Sequence, residues 1–427
     1  MTAGGLPCDS KGHSCAIFRS DRAALTRKIA PKIITFNDLG LQPALLRAIS
    51  DMGFTQPTPI QQLAIPPAME GDDVLASAQT GSGKSAAFGL PIIDTLIDDC
   101  DGVKPRALIL APTRELTDQI AKHLMELAKY TKVRVCAVYG GVGFKPQASA
   151  LKRGVDIVVA TPGRLLDHMA QKTIKLDQID MLVLDEADRM LDMGFLPDVR
   201  RILRGLPTER QTLFFSATLP PAISALVKEM LHEPVRVELT PKATPVETLR
   251  QTVYAVPQEH KTDLLLELLK DNTIYSAIAF TRTKARANRL AAALSRQRVS
   301  VELIHGDRTQ AQRTRALDSF KRGKHRILVA TDIAARGIDV DKLGHVINYD
   351  VPMVPDDFVH RIGRTARAQE DGDAITFVSH DEEPLFRAIE QTLGRRLERS
   401  VNPLFPQASI ESPKPRVVYR SKPRRRR

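Results

Sequence analysis

The stretch Val74-Leu75-Ala76-Ser77-Ala78-Gln79-Thr80-Gly81-Ser82-Gly83-Lys84-Ser85 decides the fold of this chain. Its apolar start predicts a buried strand, the glycine-rich segment predicts a loop, and an apolar helical stretch opens at Ser85. This order predicts a phosphate-binding unit, because loop N–H groups and a helix N-terminus attract anions. Lys84 would reach the terminal phosphates, and the Ser85 hydroxyl would bind Mg²⁺. The usual pattern begins with glycine where this chain has Ala78, so a simple Gly-Ser turn before a lysine is the alternative.

A second stretch, Met181-Leu182-Val183-Leu184-Asp185-Glu186-Ala187-Asp188, runs from apolar residues directly into three carboxylates. Catalytic loops of parallel sheets lie at the carboxyl ends of strands, where these acids would stand. Asp185 would hold Mg²⁺ on a nucleotide, and Glu186 would orient and deprotonate the attacking water. A solvated acidic turn is the alternative, and the phosphate loop upstream argues against it.

Short apolar runs alternate with longer amphipathic stretches along most of the chain. The alternation predicts an α/β fold, with βαβ units around parallel sheets in two tandem domains. Strands are predicted at 74–76, 107–110, 133–138, 156–160, 181–184, 212–215, 252–256, 277–280, 300–304, 327–330, 345–348 and 374–378, and helices include 117–130, 284–296 and 310–322. The predicted organisation is a flexible leader over 1–33, a first lobe over 34–236, a linker over 237–249, a second lobe over 250–400 and a tail over 401–427.

The charge of the chain is high and unevenly placed. Its 427 residues carry a net charge of +12, which predicts a polyanionic partner, either nucleic acid or an acidic membrane surface. Residues 412–427 hold eight basic residues and no acid. With five prolines between 401 and 427, the tail is predicted to be disordered and to tether nucleic acid electrostatically. A merely solubilising end is the alternative.

No apolar run reaches the length that spans a bilayer, and the first 20 residues lack the apolar segment of a secretory signal, so a cytoplasmic location is expected. Cys8, Cys15, Cys100 and Cys136 are too scattered for a disulfide framework, which agrees with a reducing compartment. Cys8, His13 and Cys15 could form part of a metal site, but free thiols are favoured because a fourth ligand is missing.

A third segment, His360-Arg361-Ile362-Gly363-Arg364-Thr365-Ala366-Arg367, carries three arginines in the second lobe. Phosphoryl transfer needs a cation near the γ-phosphate, and such arginines could supply it across a cleft. Taken alone, the segment is better explained as the basic start of a surface helix.

In order and spacing, these segments resemble the DEAD-box ATP-dependent RNA helicases over roughly residues 34–385. The sequence Thr365-Ala366-Arg367 and the short basic tail resemble those of the bacterial RhlE-like branch. The resemblance implies two RecA-like domains, the cofactors ATP and Mg²⁺, and the catalytic residues Lys84, Asp185, Glu186, Arg364 and Arg367. Ser85 and Asp185 would bind Mg²⁺. The residues that it assigns to ATP are Phe36, Phe54, Gln56, Gln61, Ala78, Gln79, Thr80, Gly81, Ser82, Gly83, Lys84, Ser85, Gly337 and Asp339.

Within that set, the resemblance gives Gln61 the adenine edge, Phe36 the stacking on the base and Asp339 the ribose. It also implies that hydrolysis is coupled to unwinding through Asp188, Ser216, Thr218, His360 and Arg361. The RNA contacts that it implies are Pro112, Thr113, Arg114, Gly140, Gly141, Thr161, Pro162, Gly163, Arg164, Arg282, Gly306, Asp307, Gln310, Arg313 and Thr331. These residue types suit phosphates and sugars, and the chain has no tryptophan for stacking on bases, so sequence-independent RNA binding is expected.

The resulting hypothesis is RNA-stimulated ATP hydrolysis coupled to local unwinding of short RNA duplexes and RNP remodelling, by closure of two lobes over ATP and RNA. One alternative is an ATP-gated RNA clamp or assembly scaffold with little unwinding. Another is a DNA translocase with the same two-lobe core. The expected protein is a monomer without membrane contact, and ribosomal precursors or the RNA-decay machinery are possible settings.

Overall fold

Two seven-stranded parallel sheets form the framework of the chain in a computed structural model that describes residues 35–78, 82–99, 104–238, 249–271, 273–335, 343–365, 372–401 and 404. Each sheet carries helices on both faces. The two tandem RecA-like parallel-sheet domains expected from the sequence are therefore confirmed. No helix within these residues has the length and apolar character that crossing a membrane requires.

Lobe one contains the first sheet. Its strands are β1 (Val74–Ser77), β2 (Ala107–Leu110), β3 (Val135–Val138), β4 (Ile157–Ala160), β5 (Met181–Leu184), β6 (Gln211–Ser216) and β7 (Val235–Glu238). Its helices are α1 (Pro43–Asp51), α2 (Pro59–Met69), α3 (Lys84–Leu96), α4 (Arg114–Leu127), α5 (Phe144–Arg153), α6 (Pro162–Ala170), α7 (Ala187–Asp192), α8 (Leu196–Leu203) and α9 (Pro221–Met230).

Lobe two contains the second sheet. Its strands are β8 (Arg250–Ala255), β9 (Ala277–Thr281), β10 (Val301–Ile304), β11 (Ile327–Thr331), β12 (His345–Asn348), β13 (Asp373–Val378) and β14 (Arg399–Ser400). Its helices are α10 (Lys261–Leu268), α11 (Lys284–Arg296), α12 (Gln310–Lys321), α13 (Asp332–Ala335), α14 (Pro355–Ile362) and α15 (Glu383–Leu393). Short 3-10 helices cover Phe36–Leu39, Gln258–His260 and His380–Glu382.

The two sheets share one topology. The strand order is β3-β4-β2-β5-β6-β1-β7 in lobe one and β10-β11-β9-β12-β13-β8-β14 in lobe two, so each strand of the second sheet repeats the place of its counterpart. The central strands are buried on both faces, which explains their continuous apolar runs. All strands of a sheet point the same way, so the loops that follow them collect at one edge.

The twelve predicted strands are confirmed, with ends that differ by no more than two residues. The sequence missed β7 and β14, which lie at the edges of their sheets. β7 includes Val237 and Glu238, which the sequence assigned to the linker. Only Val237 of this strand is fully buried, so β7 lacks the apolar run that reveals a central strand. The helix expected at 117–130 begins earlier, at Arg114, because the Thr113 hydroxyl accepts a hydrogen bond from the Leu116 N–H and caps it.

Several predictions lie outside the described residues. They concern the leader, Cys8, His13, Cys15, Cys100, most of the linker and tail, and the site residues Gln79, Thr80, Gly81, Gly337, Asp339 and Arg367. Cys136 is described, and it is buried without a disulfide partner.

Candidate nucleotide and RNA site

The phosphate loop leads into α3 at Gly83, whose φ of 92° is in the left-handed region. A Cβ at this position would lie 2.6 Å from Gln61 Nε2 and 2.7 Å from Thr58 Oγ1, so both conformation and space require glycine. Lys84 follows as the first helical residue and is 6% exposed. Its Nζ lies 3.4 Å from Asp185 Oδ1, so the loop at the end of β1 meets the acid at the end of β5.

Gln61 ties α2 to the phosphate loop. Its Oε1 accepts a hydrogen bond from the Thr58 N–H at 2.9 Å, and its Nε2 donates to the Gly83 carbonyl at 3.0 Å. An amide has donor and acceptor capacity beyond these two bonds, so the adenine contact stays a prediction. Gln61 therefore connects the segment expected to read the base with the loop expected to hold the phosphates.

Phe36, which is expected to stack on the base, and Phe54, another residue of the predicted ATP set, lie in apolar surroundings. Phe36 is buried in the core of lobe one. The Phe54 ring lies 6.0 Å from the His123 ring of α4, where it packs against the same core. Gln56 is exposed, and Ala78 is buried and donates its N–H to the Ser216 carbonyl at 3.2 Å.

Asp185 directly follows β5 and is 2% exposed. Its Oδ1 has no hydrogen-bond donor in favourable geometry. Burial raises the pKa of Asp185, the charge of Glu186 raises it further, and Lys84 opposes both. A buried carboxylate oxygen without a donor beside a phosphate loop fits a Mg²⁺ ion carried by a nucleotide, because protein sites usually give Mg²⁺ only one or two carboxylates. Among the described residues no cluster of three or more potential metal ligands occurs.

Glu186 adopts a left-handed backbone conformation, with φ 54° and ψ 50°, immediately before α7. Strain of this kind in a non-glycine residue is typical of functional sites. Its carboxylate Oε2 lies 2.5 Å from Nη1 of Arg189, and both side chains are almost fully buried. The sequence analysis missed Arg189, although its spacing of three residues from Glu186 on a helix could have indicated the pair.

Asp188 connects β5 with the segment after β6. Its Oδ2 accepts hydrogen bonds from the Thr218 N–H at 2.9 Å, the Ala217 N–H at 3.1 Å and the Thr218 hydroxyl at 3.2 Å. The Asp188 N–H donates to the Ser216 hydroxyl at 3.2 Å. The expected contact between the two motifs is therefore present, and its role in coupling stays a prediction.

Arg364 of lobe two lies in the electrostatic neighbourhood of these lobe-one acids. It is 6% exposed. Burial, reinforced by the charge of Arg189 and opposed by Glu186, lowers the pKa of Arg364 to about 9. Burial also lowers the pKa of His360, with Arg189 contributing and Asp188 opposing. These two side chains of the second lobe are thus within electrostatic range of Glu186 and Asp188 of the first.

Arg361 makes its described hydrogen bonds inside lobe two. Nε lies 2.6 Å from Asp332 Oδ1 and Nη2 lies 2.8 Å from Asp332 Oδ2, so the pair is bidentate. Nη1 donates to Asn348 Oδ1 at 3.1 Å and to the Asp350 carbonyl at 2.7 Å. Arg361 therefore fixes the end of α14, from which His360 and Arg364 extend.

A second contact joins the lobes away from the catalytic acids. Glu115 of α4 accepts a hydrogen bond from Gln310 Nε2 at 2.9 Å and lies 3.0 Å from Arg313 Nη2, and both partners belong to α12. Glu115 was not among the predicted site residues. It lies next to the predicted RNA contact Arg114, which was the only sequence signal for it.

The predicted RNA contacts of lobe one lie at the carboxyl ends of β2, β3 and β4. Arg114 packs over Gly140 and Gly141, and a Cβ at Gly141, where φ is 81°, would lie 1.9 Å from Arg114 Nη1. Pro112 and Thr113 precede α4, and Thr161, Pro162 and Gly163 open α6.

Arg164 of α6 is oriented by neighbours that the sequence did not indicate. Its Nη1 donates to Gln147 Oε1 at 3.1 Å and to the Val142 carbonyl at 3.2 Å. Gln147 donates from Nε2 to the Tyr139 carbonyl at 2.9 Å, and its Oε1 lies 3.1 Å from Nε2 of the buried His168. Arg164 is thus connected to the backbone on both sides of the Gly140-Gly141 turn, directly at Val142 and through Gln147 at Tyr139.

The predicted RNA contacts of lobe two lie at the matching edge of the second sheet. Arg282, after β9, donates to Glu382 Oε1 at 2.8 Å. Asp307, after β10, lies 2.5 Å from Nζ of the exposed Lys284. Gly306 is beside it, Thr331 ends β11, and Gln310 and Arg313 face Glu115 as described above. The structure brings both sets of predicted contacts to strand ends on the two lobes.

Comparison with known proteins defines the class. Residues 58–226 match the family described as DEAD/DEAH box helicase, and residues 260–369 match the helicase conserved C-terminal domain. The fold is similar to yeast (S. cerevisiae) Dbp5 bound to RNA and ADP BeF3, with a TM-score of 0.77, 33% identity and coverage of 86% of this chain and 95% of that one. It is also similar to Mss116p bound to ssRNA and AMP-PNP, with a TM-score of 0.78, 30% identity and coverage of 86% and 79%.

Curated relatives then define the family. The chain is 43% identical over 375 residues to the DEAD-box ATP-dependent RNA helicase CshA of Bacillus subtilis, which covers 88% of this chain and 76% of the relative. It is 44% identical over 373 residues to CshA of Listeria monocytogenes, covering 87% and 71%. The chain belongs to the DEAD-box family and is an ATP-dependent RNA helicase.

Proposed function

We propose that the chain couples RNA-stimulated ATP hydrolysis to local unwinding of short RNA duplexes and RNP remodelling, by closing its two lobes over ATP and single-stranded RNA. The observation that carries this proposal is that lobe two contacts lobe one through Gln310, Arg313 and Glu115, with Arg364 buried where the charge of Glu186 acts on it. Neither lobe alone holds both the acids and the arginine. Closure is therefore the step that completes the active site.

In this proposal Lys84 and the N–H groups at the start of α3 hold the phosphates, and Ser85 and Asp185 hold Mg²⁺. Bound Mg²⁺ would neutralise charge on the phosphate oxygens during transfer. Glu186 orients the attacking water and accepts its proton. Arg364 stabilises the charge that develops on the γ-phosphate, and Arg367, from the same segment, joins it.

The RNA part of the proposal rests on the two sets of strand-end contacts. Arg114, Arg164 and the glycine turn of lobe one suit a phosphate backbone, as do Arg282 and the start of α12 in lobe two. A strand held by both lobes would be bent when they close, which would separate a short duplex locally. The contact of Glu115 with Gln310 and Arg313 would hold the closed arrangement beside the RNA.

RNA-dependent turnover tests the function directly. We expect single-stranded RNA to stimulate ATP hydrolysis much more than DNA of matched length and sequence, because 2′-hydroxyl and backbone contacts distinguish the two. Lys84→Ala serves as the inactive control. Equal stimulation by DNA would contradict the RNA assignment and favour the DNA translocase.

Strand displacement separates the helicase from an ATP-gated clamp. The proposal expects ATP-dependent release of one strand from a short RNA duplex, whereas a clamp would bind RNA in an ATP-dependent manner without releasing it. The RhlE-like branch, the cytoplasmic location, the monomeric state and ribosomal or RNA-decay partners stay predictions. The curated relatives described above are named CshA.

A further inference from the structure

Arg189 is a buried cation that none of the predicted roles uses. Its side chain is 2% exposed, although a guanidinium is very rarely buried unless it is paired. The pairing partner is Glu186, whose Oε2 lies 2.5 Å from Arg189 Nη1. A charge-assisted hydrogen bond between buried groups is short and directional, so it restricts the carboxylate strongly.

The backbone of Arg189 holds the same turn. Its N–H lies 3.0 Å from the Glu186 carbonyl and 3.0 Å from Asp188 Oδ1. Glu186 has the left-handed conformation that this turn requires. Side chain and backbone of Arg189 therefore fix both ends of the residue expected to activate water.

Other cations near Glu186 are engaged elsewhere or belong to the other lobe. Lys84 lies 3.4 Å from Asp185 Oδ1. Arg364 comes from lobe two, so it reaches the acids only when the lobes meet. Arg189 lies on α7, directly after Glu186, and belongs to lobe one in every arrangement of the two lobes. Its charge also opposes the increase in the pKa of Asp185 that burial and Glu186 cause.

We infer that Arg189 is a positioning residue for ATP hydrolysis, which orients the Glu186 carboxylate through its bond to Oε2. This inference rests on the proposed role of Glu186. According to this inference, the Glu186 carboxylate is already oriented within lobe one before Arg364 approaches from lobe two. In this inference Arg189 acts through Glu186 and not directly on the phosphates.

A double-mutant cycle tests whether Arg189 acts through Glu186. ATP turnover, with and without RNA, is measured for Arg189→Gln, Glu186→Gln and the double variant, all in the full-length chain. We expect Arg189→Gln to lower kcat by on the order of 10–100-fold with little change in the KM for ATP, since a misplaced catalytic group costs about this much. In the Glu186→Gln background, Arg189→Gln should cause no further loss. An equal loss in both backgrounds would overturn the inference.

A binding measurement provides a readout other than turnover. Affinity for fluorescently labelled single-stranded RNA is measured by anisotropy in the presence of ADP, beryllium fluoride and Mg²⁺. We expect Arg189→Gln to keep the wild-type affinity, because positioning of Glu186 concerns the chemical step. Loss of this affinity would instead identify Arg189 as a lobe-docking residue and overturn the inference.

Arg189→Lys keeps the positive charge but lacks the planar guanidinium, so its kcat should lie between those of the glutamine variant and the wild type. The same variant can be used if the glutamine variant does not fold. A lysine variant with no better turnover than the glutamine variant, both being folded, would contradict positioning through charge. Failure of the proposed function gives a different result. If RNA does not stimulate ATP turnover by the wild-type chain, the proposed function is refuted, but the double-mutant cycle can still be measured from the turnover without RNA.

Discussion

The fifth strand ends at the same place in both sheets, yet its acids have different surroundings in the two lobes. After β5 in lobe one, Asp185 has an oxygen without a well-placed donor. After β12 in lobe two, Asp350 is completely buried and fully paired. Its Oδ1 lies 2.5 Å from Arg286 Nη1, and its Oδ2 accepts the Arg282 N–H at 2.9 Å. The same edge of the same topology therefore carries an unsatisfied acid in one lobe and a satisfied one in the other.

Lys261 completes the network of lobe two. It is 0% exposed and donates to Glu382 Oε2 at 2.5 Å and to the Tyr349 carbonyl at 2.8 Å. Glu382 also accepts a hydrogen bond from Arg282. The comparison shows how one fold separates chemistry from stability. The Asp185 oxygen without a well-placed donor suits a metal ion, whereas the acids of lobe two that contact several protein cations hold that lobe together.

The largest effect is expected among the acids that follow β5. Glu186→Gln should lower kcat by about 10²–10⁴-fold, because general base catalysis contributes on this order. RNA binding in the presence of ADP and beryllium fluoride should persist, since the substitution retains the shape of the side chain. Steady-state ATPase measurements and anisotropy check the two parts. Turnover near the wild-type rate would contradict a catalytic role for the acids after β5, and with it the contrast with the acids after β12.

The satisfied edge should respond in stability instead. Lys261 also lies 3.5 Å from Asp350 Oδ1, so Lys261→Ala leaves Asp350 and Glu382 with one arginine each and should destabilise lobe two by roughly 3 kcal/mol, because buried charge is then less well compensated. Urea unfolding of the full chain measures this change. Lys270→Ala is the matched control, because Lys270 is 73% exposed and its pair with Glu267 should contribute little. Similar unfolding curves for both variants would show that the network is dispensable.

The contact between the lobes should show an intermediate effect. Glu115→Gln leaves Arg313, whose pKa is lowered by burial, without its carboxylate. We expect RNA affinity in the closed, ADP and beryllium fluoride state to weaken by about 1–2 kcal/mol, roughly tenfold, with nucleotide-free affinity unchanged. Glu126→Gln, on the exposed side of the same helix, is the control. An equal loss in both nucleotide states would place Glu115 in RNA binding alone.

The smallest effect is a pH dependence in lobe one. Burial and the nearby Arg164 lower the pKa of His168, so the unfolded chain binds a proton more readily than the folded one. Stability contributed by neutral His168 is therefore present above about pH 6.5 and decreases below it, by up to about 1.4 kcal/mol per pH unit. His168→Gln should flatten this part of the pH profile of thermal unfolding. Substituting the exposed His380 of lobe two should leave the profile unchanged.

Local patterns predicted much of the fold and of the site. Central strands are continuous apolar runs, so their places could be read directly, whereas the edge strands β7 and β14 have weaker patterns and were missed. Lys84 and Asp185 were identifiable because phosphate and Mg²⁺ chemistry requires particular residues at particular spacings, whereas the contact of Asp188 with Thr218 was implied by the resemblance. Arg189 was missed because its spacing of three residues from Glu186 does not by itself show whether the pair is exposed, and only the structure shows that both side chains are buried.

The sequence by itself therefore determined the two lobes, the phosphate loop and the acids, since each depends on neighbours within one strand, loop or helix. Only the tertiary structure decided which charges meet. Glu115 contacts Gln310, which is 195 residues away in the sequence, and Lys261 contacts Glu382, which is 121 residues away. The sequence gives the type of a charged residue but not whether its side chain faces water, a substrate or a buried partner. Folding alone determines which of these surrounds it, because burial and pairing are set by residues that lie far away in the sequence.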